Sequence, residues 1–183
     1  MAPAGQVTES ALQAMLEDAA FTGSWTLDAS RSAIGLRSRS MWGLAPVKGT
    51  FREVTGSGTV AADGQVSGTV TVTAASVDTK IAKRDTHLRS ADFFDTGNHP
   101  HITFRVERIT PSRQGVTVTG ALTVRDRTRP VTFDATISAA DRDEVWLDAE
   151  VQVNRADFGL TWNLMGAVSM QNTITVHAVF GKR

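Results

Sequence analysis

Cysteine is absent from the 183 residues of this chain, which excludes disulfides, thiolate catalysis and thiolate-ligated zinc or iron–sulfur sites. A cysteine-free chain suits reducing and oxidising compartments alike. Charge of one sign is lacking too: 19 Lys and Arg stand against 19 Asp and Glu, scattered rather than blocked. Such a chain has no net field with which to gather nucleic acid or an anionic membrane, so no nucleic-acid partner is expected. No apolar run is long enough to cross a bilayer, and the stretch from Met1 to Asp18 has no basic segment followed by an apolar one. The expectation is a cytoplasmic protein without an integral membrane segment.

Tyrosine is also missing, leaving Trp25, Trp42, Trp146 and Trp162 with the eight phenylalanines as the aromatic complement. Tryptophans of this kind are read as core or interface residues. Trp146, in the outward phase beside Val145 and Leu147, is the candidate for an exposed or dimer-buried ring. There is no phosphate-binding lysine motif, nucleophile elbow or zinc-protease motif. Gly56-Ser57-Gly58-Thr59-Val60-Ala61 fits a dinucleotide-binding expression, but it runs into an Asp63-Gly64 turn where that motif must open a helix. His99 and His101 flank Pro100 without further ligands, so neither metal nor cofactor is expected.

What is present is alternation. After a short amphipathic helix over residues 9–20, with Thr8 as N-cap and Leu12, Met15, Leu16 and Ala19 on one face, the apolar period changes to two. Runs at Ile34–Leu36, Val47–Phe51, Val66–Val72, Ile102–Val106, Val116–Val124, Val131–Ile137, Val145–Val153 and Ile174–Phe180 place apolar residues on one face and Thr, Ser and charged residues on the other. Turn signals at Asp63-Gly64, Arg113–Gly115, Asp126–Pro130 and Ala140–Asp143 separate them. About eight short-linked strands of this kind predict an all-β antiparallel sheet, curled into a barrel or folded as a sandwich. Small residues in the inward phase (Gly49, Gly68, Gly120, Ala135, Ala149, Ala178) thin the wall and favour a barrel with room inside. Gly120 alternatively marks a bulge. The domain reading is an N-terminal extension over 1–22 and a barrel over 23–183.

One segment breaks the alternation. Arg84-Asp85-Thr86-His87-Leu88-Arg89-Ser90-Ala91-Asp92-Phe93-Phe94-Asp95 mixes both charges, a histidine and paired phenylalanines, the composition of a ligand-binding rim. The spacing predicts a helical insertion near residues 79–94, capped by Asp78 or Thr79, with an Asp85–Arg89 pair. Arg84, Asp85 and His87 either meet a ligand head group or staple the insertion to the barrel; both readings stay open here. A second irregular stretch, Asn154–Ala167, carries Arg155 and Asp157, read as a structural ion pair, with Phe158, Trp162 and Met165.

With these residues assembled, the chain resembles the YceI-like family. The resemblance rests on Trp25-Thr26-Leu27-Asp28, Val47-Lys48-Gly49-Thr50-Phe51, the segment Arg84–Asp95, His99-Pro100-His101-Ile102-Thr103-Phe104, Gly120-Ala121-Leu122-Thr123-Val124 and Asn154-Arg155-Ala156-Asp157-Phe158-Gly159, covering about residues 23–182. It implies a lipocalin-like eight-stranded barrel with a long apolar cavity, in many members a homodimer. It also implies a long-chain amphiphile as ligand: a polyisoprenoid, an isoprenoid quinone or a fatty-acid derivative. For such a ligand the expected tail positions are Phe51, Leu88, Phe93, Phe94, Phe104, Leu122, Phe133, Leu147, Val151, Phe158 and Phe180, with the head near Arg84, Asp85 and His87. The family's frequent histidines are replaced here by Arg31 and Ser40. The expected function is that of a lipid carrier or sequestering protein, not an enzyme. Its competitors are a stress-related protein-interaction module and an enzyme using His87 with Asp85 on a lipidic substrate.

Overall fold

The structure, a computed structural model, describes residues 8–113 and 115–183. Residues 1–7 of the expected N-terminal extension, and Gln114 of the expected turn at 113–115, lie outside them. Helix α1 (Glu9–Glu17) is shorter than the periodicity predicts. Thr8 Oγ1 accepts the Ala11 N–H at 3.4 Å to start it, and Asp18 Oδ1 takes the Ala20 N–H at 2.8 Å to turn the chain away. Leu12 is buried against Val116, Val118, Ala135 and Ile137, so α1 covers one end of the barrel.

The strands are β1 (Gly23–Leu27), β2 (Ala33–Ser40), β3 (Ala45–Phe51), β4 (Val54–Val60), β5 (Val66–Thr73), β6 (Val77–Asp78), β7 (His101–Ser112), β8 (Gly115–Val124), β9 (Arg127–Asp141), β10 (Glu144–Asn154) and β11 (Gln171–Lys182). Helix α2 (Ala82–Arg89) lies between β6 and β7. A closed antiparallel ring runs β1-β4-β5-β7-β8-β9-β10-β11, and the β1–β11 pairing completes it at Leu27 and Phe180. Beyond the ring β11 pairs with β2, β2 with β3 and β3 with β6.

This pairing scheme explains a partial mismatch with the alternation. β1 and β2 share one edge of β11; β4 pairs with β1 as β3 pairs with β2; β5 pairs with β4 as β6 pairs with β3. The molecule is therefore an eight-stranded barrel in which three long strands are interrupted. The sequence marks β2 and β3 well but marks β1 and β4 poorly, because Gly, Ser and Thr fill much of them. Closure through all the backbone ladders removes exposed edges from the ring. Beyond the Ala74 N–H bond to Pro100 O at 2.8 Å, β6 and β7 separate. Residues 79–100, including α2, fill that gap, which is how the insertion comes to stand at the end opposite α1.

Gly120 does not thin the wall. An added Cβ would lie 2.3 Å from the Arg105 carbonyl oxygen and 2.6 Å from Phe104 Cζ. The register shift between Val106 and Arg108 sits directly opposite, so Gly120 serves a bulge.

The outer face carries an ion pair with a pH signature. Arg31 grips Glu144 through two bonds, of which Nη2 to Oε1 is 2.8 Å, and stacks 5.6 Å from the centre of the Trp146 ring. Trp146 Nε1–H donates to the same carboxylate, so this ring is half-buried under Arg31. The Arg31 bonds, then the indole donor, hold the Glu144 carboxyl down to about 2. A depressed carboxylate stabilises the fold above the unfolded value, near 4.5, and loses that contribution as pH falls through about 2. Thermal unfolding from pH 7 to 2 is expected to show wild type above Glu144→Gln at neutral pH, with the gap closing as pH falls from about 4.5 to about 2.

Candidate functional site

Inward side chains and the two end caps enclose a cavity of about 480 Å³, within the range of ligand pockets. At one end it is lined by Leu12, Leu16, Phe21 and Trp25, and along its length by the inward phase of the strands. All eleven expected tail positions stand in its wall: Phe51, Leu88, Phe93, Phe94, Phe104, Leu122, Phe133, Leu147, Val151, Phe158 and Phe180. Alternation alone places most of them there, since residues two apart share a face. Phe94 closes edge-on against Phe51 at 5.9 Å between ring centres.

Polar groups gather at the α2 end. Arg84 and His87 line the cavity, whereas Asp85 does not. Asp85 is 6% exposed, and its Oδ1 accepts both the Thr79 N–H at 2.9 Å and the Thr79 hydroxyl at 2.5 Å. The Thr79 Oγ1 in turn accepts from Arg84 Nε at 2.8 Å, and Arg84 Nη2 donates to the Thr79 carbonyl at 3.0 Å. Of the three residues expected near the head group, Arg84 and His87 thus reach the cavity, while Asp85 holds Thr79, which aims Arg84. Two smaller expectations about the insertion fail. The helix N-cap is Ile81, with neither Asp78 nor Thr79 in that role. Arg89 ignores Asp85 and donates to the carbonyls of Ala75 and Val77 at 2.7 and 2.8 Å. The buried Asp85 carboxylate is already engaged by Thr79, and the carbonyls of Ala75 and Val77, otherwise left open near a strand end, claim the guanidinium.

His87 turns away from Asp85 as well. Its Nε2 lies 3.0 Å from Asp92 Oδ2, and its ring stands edge-on to Trp162 and Phe93 at 4.3 and 5.2 Å between centres. The His87–Asp85 acid–base pair that an enzymatic reading needs is not assembled.

The residue that sequence reasoning placed wrongly is Arg155. It forms no ion pair with Asp157, which is exposed. Instead Arg155 is 6% exposed, and its guanidinium donates to the carbonyls of Ser169 (2.9 Å), Trp162 (2.8 Å), Leu160 and Val168. The side chain lines the cavity and lies 5.5 Å from the centre of the Phe93 ring. Burial pushes its pKa down from the usual arginine value. Its donors gather the whole 160–169 stretch over the cavity end, with Asn163 bonded to Val168 through both its amide nitrogen and oxygen at 2.9 Å. Ser38, Ser40, Trp162 and Asn172 join the lining at this end. The only sequence signal for Arg155 was its place in the Asn154–Gly159 motif.

Among the described residues no helix is long and apolar enough to cross a membrane. Solved structures share this fold. Burkholderia cenocepacia BcnA superposes with a TM-score of 0.74 at 22% identity, over 84% of this chain and 98% of its own. A polyisoprenoid binding domain from Saccharophagus degradans, implicated in plant cell wall breakdown, superposes with a TM-score of 0.69 at 14% identity, over 87% of this chain and 98% of its own. Protein YceI of Escherichia coli is 34% identical over 124 residues, which are 63% of this chain and 64% of that relative, so the match spans just under two thirds of the relative's length. A family model for the YceI-like domain matches residues 25–180, nearly the whole barrel with its insertion and its lid, and the chain belongs to the YceI-like family.

Proposed function

We propose that this protein binds a long-chain amphiphilic lipid, such as a polyisoprenoid, an isoprenoid quinone or a fatty-acid derivative, and acts as its carrier or sequestering protein. The observation that carries this reading is the asymmetry of the cavity: an apolar interior of about 480 Å³ with Arg84, His87 and Arg155 together at one end. Each methylene moved from water into such an interior contributes roughly 0.8 kcal/mol. A tail therefore supplies affinity in proportion to its enclosed length, while the Arg84 guanidinium offers a charge-assisted bond to an acceptor on the head. The polyisoprenoid named for the Saccharophagus degradans domain supports the same ligand class, through fold alone.

The test is purification without detergent, solvent extraction and mass spectrometry of the extract. A lipid recovered at near one per protein chain from wild type, and lost when the barrel is filled by mutation, is the expected result. Empty protein that also takes up no fatty-acid or quinone probe would overturn the reading.

A further inference from the structure

Net neutrality of the chain hides a local asymmetry beside the cavity mouth. Met41 (58% exposed), Trp42 (71%) and Leu44 (83%), in the β2–β3 connection, and Leu164 (63%) and Met165 (84%), in the lid, are large apolar side chains standing in water. Each group rides on a tight turn. Gly43 N–H bonds to Ser40 O at 3.1 Å across Met41 and Trp42, whose φ values are 52° and 53°. Ala167 N–H bonds to Leu164 O at 2.9 Å across Met165 and Gly166, at 52° and 74°. Two successive positive φ angles are a position for Asn and Gly. Bulky side chains are disfavoured there, so Met41, Trp42 and Met165 occupy the tips at a cost in backbone strain.

The two turns form one lip. Trp42 N–H donates to Ala167 O at 3.2 Å, and Ser169 N–H to Arg39 O at 2.9 Å. Their roots are cavity wall: Ser38, Ser40 and Val47 on one side, Trp162 and Val168 on the other. The apolar tips are thus continuous with the apolar interior.

Charge decides what covers them. Between Ala33 and Arg52 there are four basic residues, Arg37, Arg39, Lys48 and Arg52, and no acidic one, while Phe158–Asn172 carries no charge at all. Arg37 is committed to Glu150 and Arg52 to Asp78. Arg39, which also donates to Gly43 O at 3.2 Å, and Lys48 are exposed and have no ion-pair partner among the described residues. Apolar and indole tips backed by unpaired cations match the layering of a membrane interface, with hydrocarbon beneath anionic head groups.

We propose that this two-turn lip inserts into the surface of a lipid bilayer containing anionic lipids and is where lipid passes between bilayer and barrel. The second half of this proposal rests on the lipid-binding reading above; the docking itself does not. The test is flotation of the full chain with vesicles of phosphatidylcholine, with and without phosphatidylglycerol, beside uptake of a fluorescent polyene fatty acid in vesicle-free solution. Wild type is expected to float with vesicles, more strongly when phosphatidylglycerol is present. A variant combining Trp42→Ser, Leu44→Ser and Met165→Ser should lose roughly tenfold or more of that binding, yet take up the free probe as wild type does. Arg39→Gln with Lys48→Gln should remove only the gain from phosphatidylglycerol. Equal flotation of the triple variant and wild type, or no flotation of wild type, would overturn the proposal. So would a wild-type dimer that the triple variant dissolves, since a second copy would then be what covers the lip. Lip-dependent flotation without probe uptake by either protein would support the docking and remove the lipid-binding reading.

Discussion

Arg155→Ala is expected to be the most destabilising single substitution at the site, by about 3–5 kcal/mol. The guanidinium is the shared donor for carbonyls at Leu160, Trp162, Val168 and Ser169. Removing it leaves acceptors at the cavity end without their partner, each costing about 1–3 kcal/mol if no water reaches it. The loss falls on one stretch of chain, so the lid over residues 160–169 should loosen before the barrel does. Urea denaturation reads the global term, and amide hydrogen exchange locates it. Arg155→Lys is the informative companion: an ammonium has three donors in a compact head where Arg155 spreads its bonds over four carbonyls, and less than half of the stability should return. Full recovery with lysine would mean that charge near Phe93, and not the fan of hydrogen bonds, is what the site requires.

Val151→Trp is expected to abolish ligand uptake while leaving a folded barrel. Val151 is 5% exposed and stands in the cavity wall on β10, opposite Ile174 in register. An indole projecting from this position occupies space that a tail would fill. Excluding about five methylenes at about 0.8 kcal/mol each removes about 4 kcal/mol, or roughly two to three orders of magnitude in affinity. Overpacking costs about 1–3 kcal/mol when a core is full, and less beside an open cavity. Titration with a polyene fatty acid measures the first effect, and circular dichroism with thermal unfolding measures the second. A variant that folds and still binds as tightly as wild type would show that the tail does not lie along this part of the wall.

Legibility in the sequence differs from residue to residue. Phe104, Leu122, Phe133 and Phe180 are placed in the cavity wall by alternation, because a period of two fixes which face of a strand a side chain takes. The eight-stranded count comes from the same signal. The wall's glycines are less transparent: Gly120 sits at a bulge, and only the position of the Arg105 carbonyl shows it. Asp85 and Arg155 are misjudged from sequence for a common reason. Each lies close in the chain to an opposite charge, Arg89 or Asp157, yet each is buried where the path of its own loop brings a better partner: the Thr79 amide and hydroxyl for one, four lid carbonyls for the other. Carbonyl groups belong to every residue and leave no trace in composition.

Residue order alone determines that this chain makes an antiparallel all-β sheet with one apolar face, curled as a barrel or folded as a sandwich, and through the Arg84–Asp95 segment it carries the family resemblance. Both are local properties, one of side-chain period and one of motif. Tertiary structure is needed to show where the barrel opens, which of the charged groups at that end face the cavity, and that the Met41–Leu44 and Leu164–Met165 turns meet as one apolar lip. These depend on β2 meeting β11 and β3 meeting β6 across long separations in the chain while β6 and β7 part, and on turns whose residues contradict their own backbone preferences. No local pattern encodes such meetings, because their stabilisation comes from burial and backbone bonds shared between distant segments.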